Sequence, residues 1–369
     1  MKIIIAVVVF AAVAIVAAVL IKERLYGTYG AYEVVSEEKV RSDRVAYYND
    51  DNRLSLVTIN GAKALDGNGN LTWEASFGLE DPTVVSCNQV SAIADIGGTN
   101  IYVISKEGIP HTINVNYPIV KVDVAQQGVV AVLLNDGQKD IIQVYDIDGK
   151  LRVEIGTNTK NEGFPVDIAI SEDGKKLITL YVSFKGDDIM SKVTFYNADD
   201  VGKNFIENIV GQKVFEGRLV YDVDFLGNDT VGIMLEDGFA LYAMKEIPKF
   251  TEEKTFDNII DMSMYDGGVC VVSEQAGERT LQFFDLNGQE SGTVKKLPEY
   301  DVLRAGNDEA ILYSSRGVTI YRKNGTKKYS GQFDGTLDNV YFGGDLRYFL
   351  VDSGAVRTIK LVKKVKEER

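Results

Sequence analysis

Hydrophobic and polar positions follow two different rules along this chain. From Ile3 to Ile21 the residues are apolar without a break, IIIAVVVFAAVAIVAAVLI, with Lys2 before the run and Lys22, Glu23 and Arg24 after it. From about residue 40 onward helical periodicity disappears. Short alternating or continuous apolar runs replace it, each bounded by Gly, Asn or Asp, which is the pattern of strands joined by tight turns. The first rule predicts one helix and the second an all-β domain.

The β-type region repeats itself. GAKALDGNGNLTWEAS reads strand, turn, strand, and the layout returns in NIYVISKEGIPHTINV, IIQVYDIDGKLRVEIG, TLQFFDLNGQESGTV and GVTIYRKNGTKKYSGQF. Asp, Asn and Gly tolerate positive φ, so each segment predicts a β-hairpin. A second hairpin precedes it, as in PVDIAISEDGKKLITLYV and VYDVDFLGNDTVGIML. Two hairpins in tandem make a four-stranded unit of about 40 residues, the size of one propeller blade. Units open near Asp43, Thr83, Ile119, Val166, Tyr221, Ile259, Asp301 and Asp338. The last holds three strands and ends about Val362. Residues Ala31 to Val40 can supply its fourth from the other end of the chain, which removes a free edge. The expected fold is an eight-bladed β-propeller spanning residues 25–362, followed by a basic tail at 363–369. Seven longer blades with a separate terminal unit are the alternative. Blade four is the longest and carries FKGDDIMS and NADDVGKNFIENIVGQ in its loops.

The apolar run would make roughly 28 Å of helix, close to the hydrocarbon thickness of a bilayer. It lacks a polar face, and the charged residues after it offer no A-x-A cleavage site. Residues 1–24 therefore read as one transmembrane anchor, with Tyr26, Tyr29 and Tyr32 where amphipathic rings suit the interface. Lys22, Arg24, Lys39 and Arg41 outnumber Lys2, which by a bare charge count keeps the domain in the cytoplasm. Long domains translocate largely regardless of such charges, and a two-residue tail suits an uncleaved export signal. The expectation is a single-pass protein of the cell membrane with its propeller outside the cytoplasm.

Composition narrows the chemistry. A formal charge of −14 and a pI of about 4.7 weigh against a nucleic-acid partner, whose phosphates need Lys and Arg. One His and two Cys leave no multi-His metal site and no disulfide framework, and no cofactor is expected. His111 reads as a strand residue of blade two. Cys87 and Cys270 read as buried thiols in blades two and six. Asp66 to Asn70 partly mimics a calcium loop, but Leu71 stands where Gly is needed and Phe77 where a bidentate Glu belongs, so a hairpin turn is expected. The tail residues Lys360, Lys363, Lys364, Lys366 and Arg369 are basic, either as a solvated end or as a contact for anionic lipid or wall polymer.

One pattern is sharper. Aligning the innermost strands puts Asp167, Asp222, Asp261, Asp301 and Asp338 at one place, with Lys121 there in blade three. Two readings compete. Short carboxylates can cap backbone N–H groups where a loop enters a strand. Alternatively, a ring of them at one channel mouth can bind a cation or a basic partner segment.

Leu65–Ala75, LDGNGNLTWEA, resembles the repeat of quinoprotein-type propellers, in which an Asp-turn-Gly hairpin ends in an outer-strand Trp. Val166–Leu177, VDIAISEDGKKL, resembles the opening of many bacterial and WD-type blades. Over most of its length the chain is similar to single-pass, membrane-anchored propeller proteins of Gram-positive anaerobes, and distantly to BamB-type assembly scaffolds. It departs from these in three ways: Trp73 alone keeps the repeat Trp, the adjacent cysteine pair of quinone-dependent dehydrogenases is missing, and so is the lipid-modified Cys of BamB. The resemblance implies a non-enzymatic scaffold for a protein or cell-envelope partner. A ligand-binding sensor subunit, or a quinoprotein-type or polysaccharide-active enzyme, are the alternatives.

Overall fold

The structure, a computed structural model, describes residues 10, 13–16, 22–23, 25–40, 44–50, 52–156, 163–186, 188–333 and 335–363. Most of the apolar run, and the tail beyond Lys363, lie outside these residues. Among the described residues no helix is long and apolar enough to cross a membrane.

The strands form eight four-stranded antiparallel sheets. The innermost strands are Val45–Asp50, Pro82–Cys87, Ile119–Val124, Phe164–Ile170, Val220–Phe225, Ile259–Tyr265, Val302–Gly306 and Asn339–Phe342. Each opens within two residues of the start that the repeats predict. Seven sheets are simple meanders. The eighth takes three strands from Asn339–Phe342, Arg347–Val351 and Ala355–Val362, and its outer strand from Ala31–Lys39. That strand runs antiparallel to the C-terminal one, from Ala31 opposite Val362 to Lys39 opposite Ala355. The count is eight, and the N-terminal segment completes the last blade as expected.

A single sheet buries neither face alone, so stability comes from stacking neighbours. Apolar clusters fill the space between successive blades: Ala92, Ile101 and Val132 between two and three, for instance, and Ile178, Phe195 and Ile233 between four and five. The ring closes with the same chemistry. Leu54, Leu56 and Leu65 of blade one meet Tyr341, Phe349 and Val356 of blade eight. The DGNGN turn sits on this seam. Asp66 accepts the amides of Asn68 and Asn70, both at 2.8 Å, and Gly69 turns with φ of +79°. A Cβ on Gly69 would lie 1.8 Å from Ser36 Oγ and 2.4 Å from Thr358 Oγ1 of blade eight, so only Gly fits both the turn and the seam.

Strand direction gives the ring two faces. The turns between first and second strands, and between third and outer strands, lie on one face, here the hairpin face. The blade-to-blade connections and the turns between second and third strands lie on the other, the connection face. The chain enters at the hairpin face of blade seven. Leu25 O accepts from Asn324 Nδ2 at 3.2 Å and from Thr326 Oγ1 at 3.1 Å, Gly27 O from Arg322 Nη2 at 2.5 Å, and Tyr29 N donates to Lys328 O at 2.9 Å. Lys363 pairs with Glu23 at 3.0 Å, so the end of the last strand lies there too.

Candidate functional site

The inner strand of every blade is a sheet edge that faces the central channel, and its outward N–H groups have no strand to bond. Side chains at alternate inner-strand positions meet this need. Asp167 Oδ1 accepts the amide of Ile168 at 2.7 Å, and Oδ2 accepts that of Val223 in blade five at 3.4 Å. Asp261 repeats this with Met262 at 2.9 Å and with Leu303 of blade seven at 3.2 Å. Asp123 takes Val124 at 2.8 Å and Ile170 of blade four at 2.7 Å, and Ser263 Oγ takes Ala305 of blade seven at 3.1 Å. Each such carboxylate or hydroxyl clasps one blade to the next. A bond of this kind contributes about 1 kcal/mol, and an orphaned buried amide costs more.

The expected ring is thereby partly assembled. Lys121, Asp167, Asp222 and Asp261 do share one register position. Each follows a β-bulge and stands opposite Leu133, Leu180, Met234 and Val272 of its neighbouring strand. Asp301 and Asp338 do not join them. Blades seven and eight lack the bulge, so Val302 and Asn339 are the first paired residues, and Asp301 and Asp338 lie one residue upstream, both exposed. The bulges shift the alignment by one residue, which hydrophobic patterning does not reveal. Lys121 is hydrogen-bonded to Asp167. Asp222 faces the Asp167 carboxylate on the other side. Burial, then repulsion from Asp167, pushes the Asp222 carboxyl up to about 7.

A second layer escaped the sequence reading. Two residues further along the same strands stand Asp123 and Asp224, with Ser263, Arg304, Tyr341 and Tyr48 at the matching places of other blades. The signal is present in the alternation: Asp222 and Asp224 are i and i+2 on one strand and share a face. Burial, partly offset by bonds from the amides of Ile170 and Val124, raises the Asp123 carboxyl to about 6. Burial and repulsion from Asp123 and Asp222 lift Asp224 well above the usual range. Arg304 lies across the ring, its guanidinium 4.0 Å from the centroid of Tyr341 and 3.3 Å from Asn339 Oδ1. Toward the hairpin face the channel widens into a cavity of about 1330 Å³, with Asp50, Glu172 and Asp266 at its rim. Burial raises Glu172 and Asp266, and Glu172 also feels both other carboxylates.

The remaining candidates lie elsewhere. His111 sits on the outer strand of blade two, its Nδ1 3.9 Å from Asp148 Oδ1. Cys87 lies on an inner strand and Cys270 on the second strand of blade six, unpaired, with burial pushing both thiols up. Among the described residues no group of three or more His, Cys, Asp or Glu is placed to hold a metal ion.

Fold and site together define an eight-bladed β-propeller with an acidic channel whose carboxylates clasp adjoining blades. The chain belongs to a family of unknown function, DUF5711, which it matches over residues 25–361. No curated protein matches it. Among solved structures it is similar to BamB from Moraxella catarrhalis, at 12% identity and a TM-score of 0.50, over 90% of this chain and 100% of that one. It is also similar to dipeptidyl peptidase 4 of Porphyromonas gingivalis, at 12% identity and a TM-score of 0.56, over 89% of this chain and 60% of that one. A eukaryotic initiation factor matches at 12% identity and a TM-score of 0.51, over 89% of this chain and 87% of that one. At such identity the likeness shows the fold alone, and on that level the expected similarity to BamB is met.

Proposed function

We propose that this protein is a membrane-tethered scaffold whose propeller, outside the cytoplasm, binds a protein or cell-envelope partner without catalysing a reaction. The observation that carries the reading is the docked N-terminal segment. Leu25, Gly27 and Tyr29 are hydrogen-bonded along one turn of blade seven, immediately after the apolar run. A flexible tether would leave the propeller free to tumble. This one fixes its pose, with the hairpin face toward the anchor and the connection face away from it. The channel supports a binding role: Asp123, Asp167 and Asp261 are committed to backbone amides, and Asp167 also to Lys121. These groups build the ring and are not free to act as paired acid and base. The test uses the full chain in its native cells, with Cys87→Ala and Cys270→Ala and a new thiol from Asp188→Cys on the connection face. The protein should stay with the membrane after carbonate washing, and an impermeant maleimide should label it in intact cells. Recovery in the soluble fraction, or labelling only after lysis, would overturn the proposal.

A further inference from the structure

Four consecutive blades carry the same irregularity at the same place. In each of blades three to six the inner strand opens with a β-bulge, and the unpaired residue is Val120, Val166, Tyr221 or Ile260. Three are aliphatic and the fourth offers an aromatic ring, and all are between 40 and 48% exposed. A bulge leaves one residue outside the ladder and re-aims its side chain, so it is a device rather than a defect. Here it turns an aliphatic or aromatic side chain outward at the connection face, four times over an arc of half the ring. Phe164, just before the bulge of blade four, is 61% exposed, and Phe184, near the tip of that blade's long second strand, is 70% exposed. Blades seven and eight lack the bulge and present Asp301 and Asp338 at the equivalent approach. Directly inside the arc, one residue along each strand, stand Lys121, Asp167, Asp222 and Asp261. The lysine is bonded to Asp167, and among the described residues no cation is hydrogen-bonded to the carboxyl of Asp222 or of Asp261, so a basic side chain arriving there would find both acceptors without a cationic partner.

We propose that this arc is a docking surface for a polypeptide segment that carries apolar side chains beside Lys or Arg, the apolar groups lying on Val120, Val166, Tyr221 and Ile260 and a basic side chain entering the channel mouth at Asp222 and Asp261. Charge selects the occupant. A lipid or an apolar polymer would cover the rim and leave the carboxylates uncompensated, whereas a basic side chain set among apolar ones satisfies both. The proposal rests on the scaffold reading and names the class of partner for it.

The experiment uses the full chain in lipid nanodiscs and a synthetic 12-residue peptide alternating Leu with Lys, with binding followed by fluorescence anisotropy at two salt concentrations. Val166→Ser combined with Ile260→Ser should weaken binding at least tenfold. Asp222→Asn combined with Asp261→Asn, which removes the charge and keeps one of the two acceptor oxygens at each position, should weaken it similarly and flatten the salt dependence. Ile109→Ser, exposed on the hairpin face of blade two, should leave it unchanged. Equal binding by the arc variants, equal binding of a Leu–Glu peptide, or an equal loss in the Ile109 variant would each overturn the proposal. Unchanged thermal melts show that a loss of binding is not a loss of fold. Peptide binding is read in nanodiscs regardless of topology in cells, so its failure leaves the tethered-scaffold reading standing, and a failed topology test leaves this one standing.

Discussion

Chemically identical residues do different work at the channel mouth. Asp167 is 3% exposed, is bonded to Lys121, and caps the amides of Ile168 and Val223. Asp167→Ala should orphan all three groups and cost about 2–4 kcal/mol, read from the denaturant midpoint. A loss under 0.5 kcal/mol would mean that the clasp is not structural. Asp222 has the opposite sign. Its carboxyl, like that of Asp123, is held above the usual range, at about 7 and about 6, facing Asp167, Asp224 and Lys121. The folded state thus keeps protons that the unfolded chain releases near pH 4. The stability these two carboxyls contribute falls as pH rises from about 4 through 7 and is lost above. Asp222→Asn should shrink the difference in melting temperature between pH 5 and pH 8 and raise the value at pH 8. An undiminished difference would show that Asp222 is ionised in the folded protein at pH 5 as well.

At the scale of elements, the seam between blades one and eight decides whether the ring exists. Removing residues 1–24 should leave a folded propeller. Removing residues 1–40 takes away the strand that pairs Ala31 through Lys39 with Val362 through Ala355, and bares a long edge. The longer deletion should melt at least 10 °C lower and aggregate, by size-exclusion chromatography, while the shorter one stays monodisperse. Equal behaviour would place the closure elsewhere. Gly69→Val should also loosen the seam, by about 1–3 kcal/mol for a strained left-handed residue alone, more where Ser36 cannot yield. The blades, their number and the exchanged strand were legible in the sequence, because Asp, Asn and Gly mark the turns and the last unit is one strand short. The exact register was not. A bulge inserts one residue without altering the alternation on either side, so Asp301 and Asp338 aligned with a ring from which blades seven and eight are offset. Asp123 and Asp224 were legible in principle, two residues from Lys121 and Asp222, but only once the channel-facing side of each strand is known. That the carboxylates reach the amides of the following blade depends on blade packing, which local sequence does not encode.

At the scale of the whole molecule, the two faces carry different features. The chain enters at the hairpin face, where Arg322, Asn324 and Thr326 grip the segment that follows the apolar run. The bulges of blades three to six open on the opposite face, beside the carboxylates. If the apolar run anchors the protein, the grip sets the first face against the bilayer and leaves the second free. Fluorescence quenching in nanodiscs with quencher-bearing headgroups tests this most directly, on a chain with Cys87→Ala and Cys270→Ala labelled through Asn287→Cys on the hairpin face of blade six or Asp188→Cys on the connection face of blade four. The fixed pose predicts strong quenching at residue 287 and none at residue 188. Equal quenching at the two positions, or quenching at 188 alone, would contradict it.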